Sequence, residues 1–112
     1  MRYRELGRTG LEVSEIGFGA EWMEKKSAAE VRAVVERCEE AGINILDCWM
    51  AGPEVRSNLG AALAGTRDRW IIQGHIGSTC KTASSAHARH GSRAPAFEDL
   101  LARLGTDHVE LA

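Results

Sequence analysis

The chain has 112 residues, 44% of them apolar and 27% charged, with a formal net charge of −2. This composition predicts one folded domain around one core and excludes disorder. No run approaches the ~20 consecutive apolar residues of a membrane span, Met1–Gly7 has no apolar stretch of the kind a secretory leader needs, and the charge makes no case for nucleic acid or an anionic membrane.

The first fourteen residues read as a hairpin. Arg2–Leu6 and Leu11–Ser14 flank Gly7-Arg8-Thr9-Gly10, a run of turn formers. Ile16–Ala20 is a short strand weakened by two glycines. Ser27 and Glu30 then stand at capping-box spacing, and Val31, Val34, Val35 and Cys38 make one helical stripe that Gly42 ends. Ile43–Asp47 is a strand with an acid at its C-terminal end. A second helix starts near Pro53, carries Val55, Leu59, Ala62 and Leu63 on one face, and stops at Gly65. Trp70–His75 is the next strand.

Regularity fails from Cys80 to Arg93, and Arg69 to Phe97 contains no acid. Order returns with Phe97, Leu100, Leu101 and Leu104, a stripe closed by Gly105. His108–Ala112 begins a fourth strand. Strands alternating with helices predict an α/β fold with a parallel sheet. Periodicity alone does not separate an open doubly wound sheet from part of a barrel.

Several residues have a bland reading beside a chemical one. Asp47 at a strand end either caps the following turn or does chemistry. Cys80, His87 and His90 lack the paired spacing of a zinc site, so no metal is expected. The acid-free stretch has no interleaved aromatics and no nucleic-acid module. Gly17-Phe18-Gly19 is too short for a dinucleotide fingerprint. Trp22, Trp49 and Trp70 are expected in the core before any pocket. The three cysteines, odd in number and without CxxC spacing, suit a reducing, cytoplasmic setting.

Four segments in order carry a family resemblance. Tyr3–Ser14 with Ile16–Gly19, Gly42–Asp47, Leu59–Leu63 and Leu104–Leu111 resemble the opening, second strand, following helix and fourth-strand lead-in of an aldo-keto reductase. The likeness covers nearly the whole chain except Cys80–Arg93. It implies an N-terminal hairpin plus about the first three and a half β/α units of a truncated (β/α)8 TIM barrel, since a closed one needs roughly 200–250 residues. It also implies NADP or NAD as cofactor, a small carbonyl-type substrate, and a site at the C-terminal ends of the strands. The family's aspartate matches Asp47. Its tyrosine has no counterpart in Cys48–Pro53, with Gly52 nearest its place, and His75 stands where its lysine belongs, either as a substitute for it or as a polar strand-end residue. Gly19 and Ala20 are the positions matched to cofactor binding.

Pro53–Gly60 and Ile72–Ser78 resemble a bacterial subgroup that lacks the usual tyrosine and lysine. That subgroup often adds a C-terminal ferredoxin-like segment, so an iron–sulfur cluster belongs to the implied C-terminal part. Residues 80–93 depart from the subgroup, and back-translation suggests a frame-shifted segment. Restoring one base at Cys80 gives WQDGQF. A second near Ala86 gives RRTRDMEAVR, and a third returns the frame to Pro95–Leu101. One further lost base converts ELGM into Glu110-Leu111-Ala112-stop. Residues 1–112 are therefore expected to be a partial oxidoreductase domain, inactive alone. The alternative is a non-enzymatic half-barrel that self-associates through open strand edges.

Overall fold

The computed structural model describes residues 1–48, 52–75 and 94–112. Strands β1 (Tyr3–Glu5) and β2 (Glu12–Ser14) form the expected antiparallel hairpin, with Tyr3 opposite Ser14 and Glu5 opposite Glu12. Its turn needs glycine at both ends, because Gly7 and Gly10 have φ of +61° and +76°.

Asn44 fastens this hairpin to the rest of the chain. Its Nδ2 donates to the Glu12 carbonyl at 2.9 Å, its Oδ1 accepts from the Ser14 N–H at 2.8 Å, and its own N–H donates to Ser14 Oγ at 3.2 Å. The Tyr3 hydroxyl donates to the Gly42 carbonyl at 2.7 Å. All these contacts fall just before β4 (Ile45–Asp47), so the hairpin sits at the N-terminal end of the main sheet.

That sheet has three parallel strands in the order β3 (Phe18–Gly19), β4 and β5 (Ile71–Gln73). Leu111 adds a parallel bridge to Gln73 at the far side. Helix α1 (Ala28–Glu40) joins β3 to β4, and α2 (Pro53–Leu63) joins β4 to β5. Helix α3 (Ala94–Leu104) leads to the Leu111 bridge. Val31 and Val35 of α1, Leu59 and Leu63 of α2, and Leu100 and Leu104 of α3 share one core with Phe18, Leu46 and Ile72. These three helices of the described residues therefore cover the same face, and the strands follow one another in chain order. This is the winding of a β/α barrel wall. A doubly wound sheet puts helices on both faces and reverses its strand order.

Local chemistry explains the helices. Ser27 caps α1: its Oγ accepts from the Glu30 N–H at 3.3 Å, while Glu30 Oε2 accepts from the Ser27 N–H at 2.9 Å. Gly42, with φ +76°, takes the left-handed turn beyond the helix. Leu46, Leu59 and Ile72 are fully enclosed, each worth ~1.5–3 kcal/mol of burial.

The strands of the sheet are shorter than expected: Ile43–Asp47 begins at Ile45, and Trp70–His75 keeps only Ile71–Gln73. The first strand of the sheet shrinks to two residues, because the chain bends at Glu15–Ile16 before it and a 3-10 turn takes Ala20–Met23 after it. Trp70 lies outside β5. A 3-10 turn over Arg67–Arg69 precedes it, and its buried indole donates from Nε1 to Glu39 Oε1 at 3.0 Å. The fourth strand is a single bridge, because the Ile72 N–H is occupied at 2.6 Å by the Glu110 carboxylate where a neighbouring strand would offer a carbonyl. The irregular segment Cys80–Arg93 lies outside the described residues.

Candidate functional site

Successive side chains of a strand point to opposite faces. Leu46 and Ile72 point under the helices, so Asp47 and Gln73 point to the other face, at the C-terminal ends of β4 and β5. The register places Gly19 beside Asp47 and Asp47 beside Gln73. His75, two residues after Gln73, returns to the same face.

Asp47 and His75 meet there: His75 Nε2 lies 2.7 Å from Asp47 Oδ1. Their side chains keep 46% and 31% of their surface exposed, so water and small solutes reach the pair. Among the described residues the imidazole makes this one hydrogen bond, through Nε2, and none through Nδ1. An imidazole held by a carboxylate on one nitrogen can give or take a proton at the other.

Gly19 closes the layer on the β3 side. A Cβ built there meets no atom within 4 Å, so this wall is open and flat. Ala20 behaves differently: it is fully buried at the start of the 3-10 turn, and its methyl belongs to the core. Of the two positions matched to the cofactor, Gly19 alone offers a surface.

Cys48 follows Asp47 but points the other way, into the core, where burial pushes its thiol up to about 12. It is therefore a packing residue at neutral pH. The chain's one tyrosine, Tyr3, stands at the opposite end of the sheet on the Gly42 carbonyl, too far removed to serve this pair. Trp70 is core, as expected, whereas Trp22 is 81% exposed. Trp49, Cys80, His87 and His90 lie outside the described residues. Among the described residues no group of three or more His, Cys, Asp or Glu could hold a metal, and no helix is long and apolar enough to cross a membrane.

Gln73 is the member of this layer that the sequence did not single out. Its side chain shares the face of Asp47, and its carbonyl accepts from the Cys48 N–H at 2.9 Å. Period-two alternation marks it as facing away from Ile72. Only the strand register shows that it stands beside Asp47.

No family model matches the chain. Solved structures do. A Pseudomonas aeruginosa protein ascribed to the aldo-keto reductases superposes with a TM-score of 0.71 at 29% identity, covering 96% of this chain and 44% of its own. An aldo-keto reductase from Bacillus halodurans, in its holo form, gives 0.71 at 27% identity, covering 97% of this chain and 38% of its own. In sequence, a "Probable voltage-gated potassium channel subunit beta" of Oryza sativa subsp. japonica is 38% identical over 50 residues, 42% of this chain and 15% of that protein. By sequence and by fold, the chain is similar to the aldo-keto reductases, and it spans less than half the length of these relatives.

Proposed function

We propose that this chain is the N-terminal part of an aldo-keto-reductase-like, NAD(P)H-dependent oxidoreductase acting on a small carbonyl compound, and that it is inactive as an isolated 112-residue piece. One observation carries the reading. Asp47 and His75 meet at 2.7 Å at the C-terminal ends of neighbouring parallel strands, on the face away from the helices. Barrels of this winding place their chemistry at that end.

The cofactor fits in part. When bound, a dihydronicotinamide supplies a hydride. Gly19 offers it an open wall with no side chain in the way. Asp47 and His75 supply a proton-handling pair beside that wall, and Gln73 adds a polar side chain to the same layer. The subgroup resemblance adds an iron–sulfur segment to the parent protein, beyond residue 112. It also supports the frame-shifted reading of residues 80–93, which the nucleotide sequence from Thr79 onward tests directly: codons that cannot be written in the shifted frames refute it.

The functional reading has its own experiment. Titration of the 112-residue chain with NADPH, followed by cofactor fluorescence, is expected to show no micromolar binding. A barrel restored by the downstream coding sequence is expected to oxidise NADPH in the presence of small aldehydes and ketones. Micromolar binding by the isolated chain would overturn its assignment as an inactive part. A restored barrel without any nicotinamide-dependent turnover would overturn the oxidoreductase reading.

A further inference from the structure

We infer that Nδ1 of His75 is the atom that exchanges a proton with the ligand oxygen at this site, and that Asp47 is a positioning residue that fixes which nitrogen is free to do so. This assignment rests on the proposed oxidoreductase site and names its acid–base group.

The geometry supplies the roles. Asp47 Oδ1 lies 2.7 Å from His75 Nε2. An ionised carboxylate can only accept, so the imidazole must present Nε2–H to it. In the neutral ring that leaves a bare lone pair on Nδ1. In the cation Nδ1 carries the transferable hydrogen, while Nε2–H stays on Asp47. Both side chains are partly exposed, so the ring is recharged from solvent without a buried relay.

Among the described residues no other group on this face does the same work. Tyr3, the single phenol, is held at the other end of the sheet. Cys48 points into the core with a thiol that burial keeps protonated. Gln73 shares the layer but cannot titrate.

During carbonyl reduction the Nδ1–H bond breaks and its electron pair stays on the ring. An O–H bond forms as the carbonyl π bond opens, and a dihydronicotinamide, when bound, would supply the hydride to the carbonyl carbon. The products are the alcohol, the oxidised nicotinamide and a neutral His75 still bonded to Asp47. Alcohol oxidation runs the same steps in reverse, with the bare Nδ1 taking the hydroxyl proton.

The test uses the 112-residue chain with 15N-labelled histidine and needs no turnover. Long-range proton–nitrogen spectra should show neutral His75 with its hydrogen on Nε2 and Nδ1 bare. In Asp47→Asn the amide can donate to the ring, and the hydrogen should move toward Nδ1. In Asp47→Leu the preference should fall to that of a free imidazole. Amide spectra of each variant check the fold, which substitution at a partly exposed strand end should preserve. Millimolar acetate, as an oxygen probe, should then move the Nδ1 resonance of the cationic ring and leave Nε2 in place. Hydrogen on Nδ1 in the neutral native chain would overturn the assignment. So would a tautomer indifferent to Asp47→Leu, or an acetate response at Nε2 alone. None of these results touches the nicotinamide-binding test above, so the two readings fail separately.

Discussion

Gly60 of α2 lies directly against the C-terminal turn of α3: a Cβ built on it would stand 2.1 Å from the Arg103 carbonyl oxygen and 2.9 Å from Leu104 Cα. Both atoms are backbone, so a side chain cannot displace them by changing rotamer. Gly60→Ala is therefore expected to push the two helices apart, although alanine is the better helix former. The expected cost is ~1–3 kcal/mol, the usual range for overpacking. A urea midpoint for Gly60→Ala at or above that of the native chain would contradict this packing.

The start of α1 makes a second case, with a pH dependence whose sign is fixed. The Ser27 backbone N–H and then its hydroxyl hold the Glu30 carboxyl below its ordinary value of 4.5. A depressed folded-state value means the ionised form favours the native chain. That stabilisation is fully present above the unfolded value and fades as pH falls through the lower folded value. Ser27→Ala should cost ~1 kcal/mol of stability, typical for an N-cap. It should also raise the Glu30 titration by the hydroxyl's share alone, since the residue-27 backbone N–H still donates, as carboxyl carbon NMR would register.

The two described thiols should separate chemically. Cys48 is 3% exposed, and burial raises it to about 12, whereas Cys38 is only partly buried and less strongly raised. The thiolate is the reactive form. Iodoacetamide at pH 8 should label Cys38 first and reach Cys48 only on unfolding, with peptide mass spectrometry giving the order. Equal labelling rates in the native chain would show that the wall behind Asp47 is open to solvent.

What was legible in the sequence follows from how far each interaction reaches. The Ser27–Glu30 box, the stripe of α1 and the Gly42 stop lie within a few residues of one another, and the structure matches them. The same holds for Pro53 at the start of α2. Asp47 was visible as an acid at a strand end, and the family likeness gave it and His75 a place. Their 2.7 Å contact needed the parallel register between β4 and β5, which no local pattern encodes. Gln73 was hidden for that reason. The tight seat of Gly60 was hidden too, because a glycine in a helical stripe looks like lost propensity until the partner helix is in place. Ala20 is buried because the chain enters a 3-10 turn there, and its methyl joins the core.

The node at Arg67 is the clearest long-range contact that neither periodicity nor motif announced. Its guanidinium donates to the Trp70 carbonyl at 2.8 Å, the His108 carbonyl at 2.9 Å, Thr106 Oγ1 at 3.2 Å, and both Glu110 oxygens at 3.1 and 3.3 Å. Glu110 in turn accepts from the Ile72 N–H, so one ion pair ties residues 106–111 to the edge of β5. The two side chains keep only 14% and 18% of their surface exposed, so removing one leaves the other poorly solvated. Arg67→Met should cost about 2–4 kcal/mol, near the low end for breaking a buried pair. Glu110→Gln should cost less, because the amide oxygen can still accept from Ile72 N–H. Hydrogen exchange separates the two effects. Arg67→Met should speed exchange at Ile72 and at Gly74, whose N–H donates to the Leu111 carbonyl at 2.8 Å, while the α1 amides keep their native rates. Uniformly faster exchange across α1 as well would mean that the ion pair supports the whole core and not this edge alone.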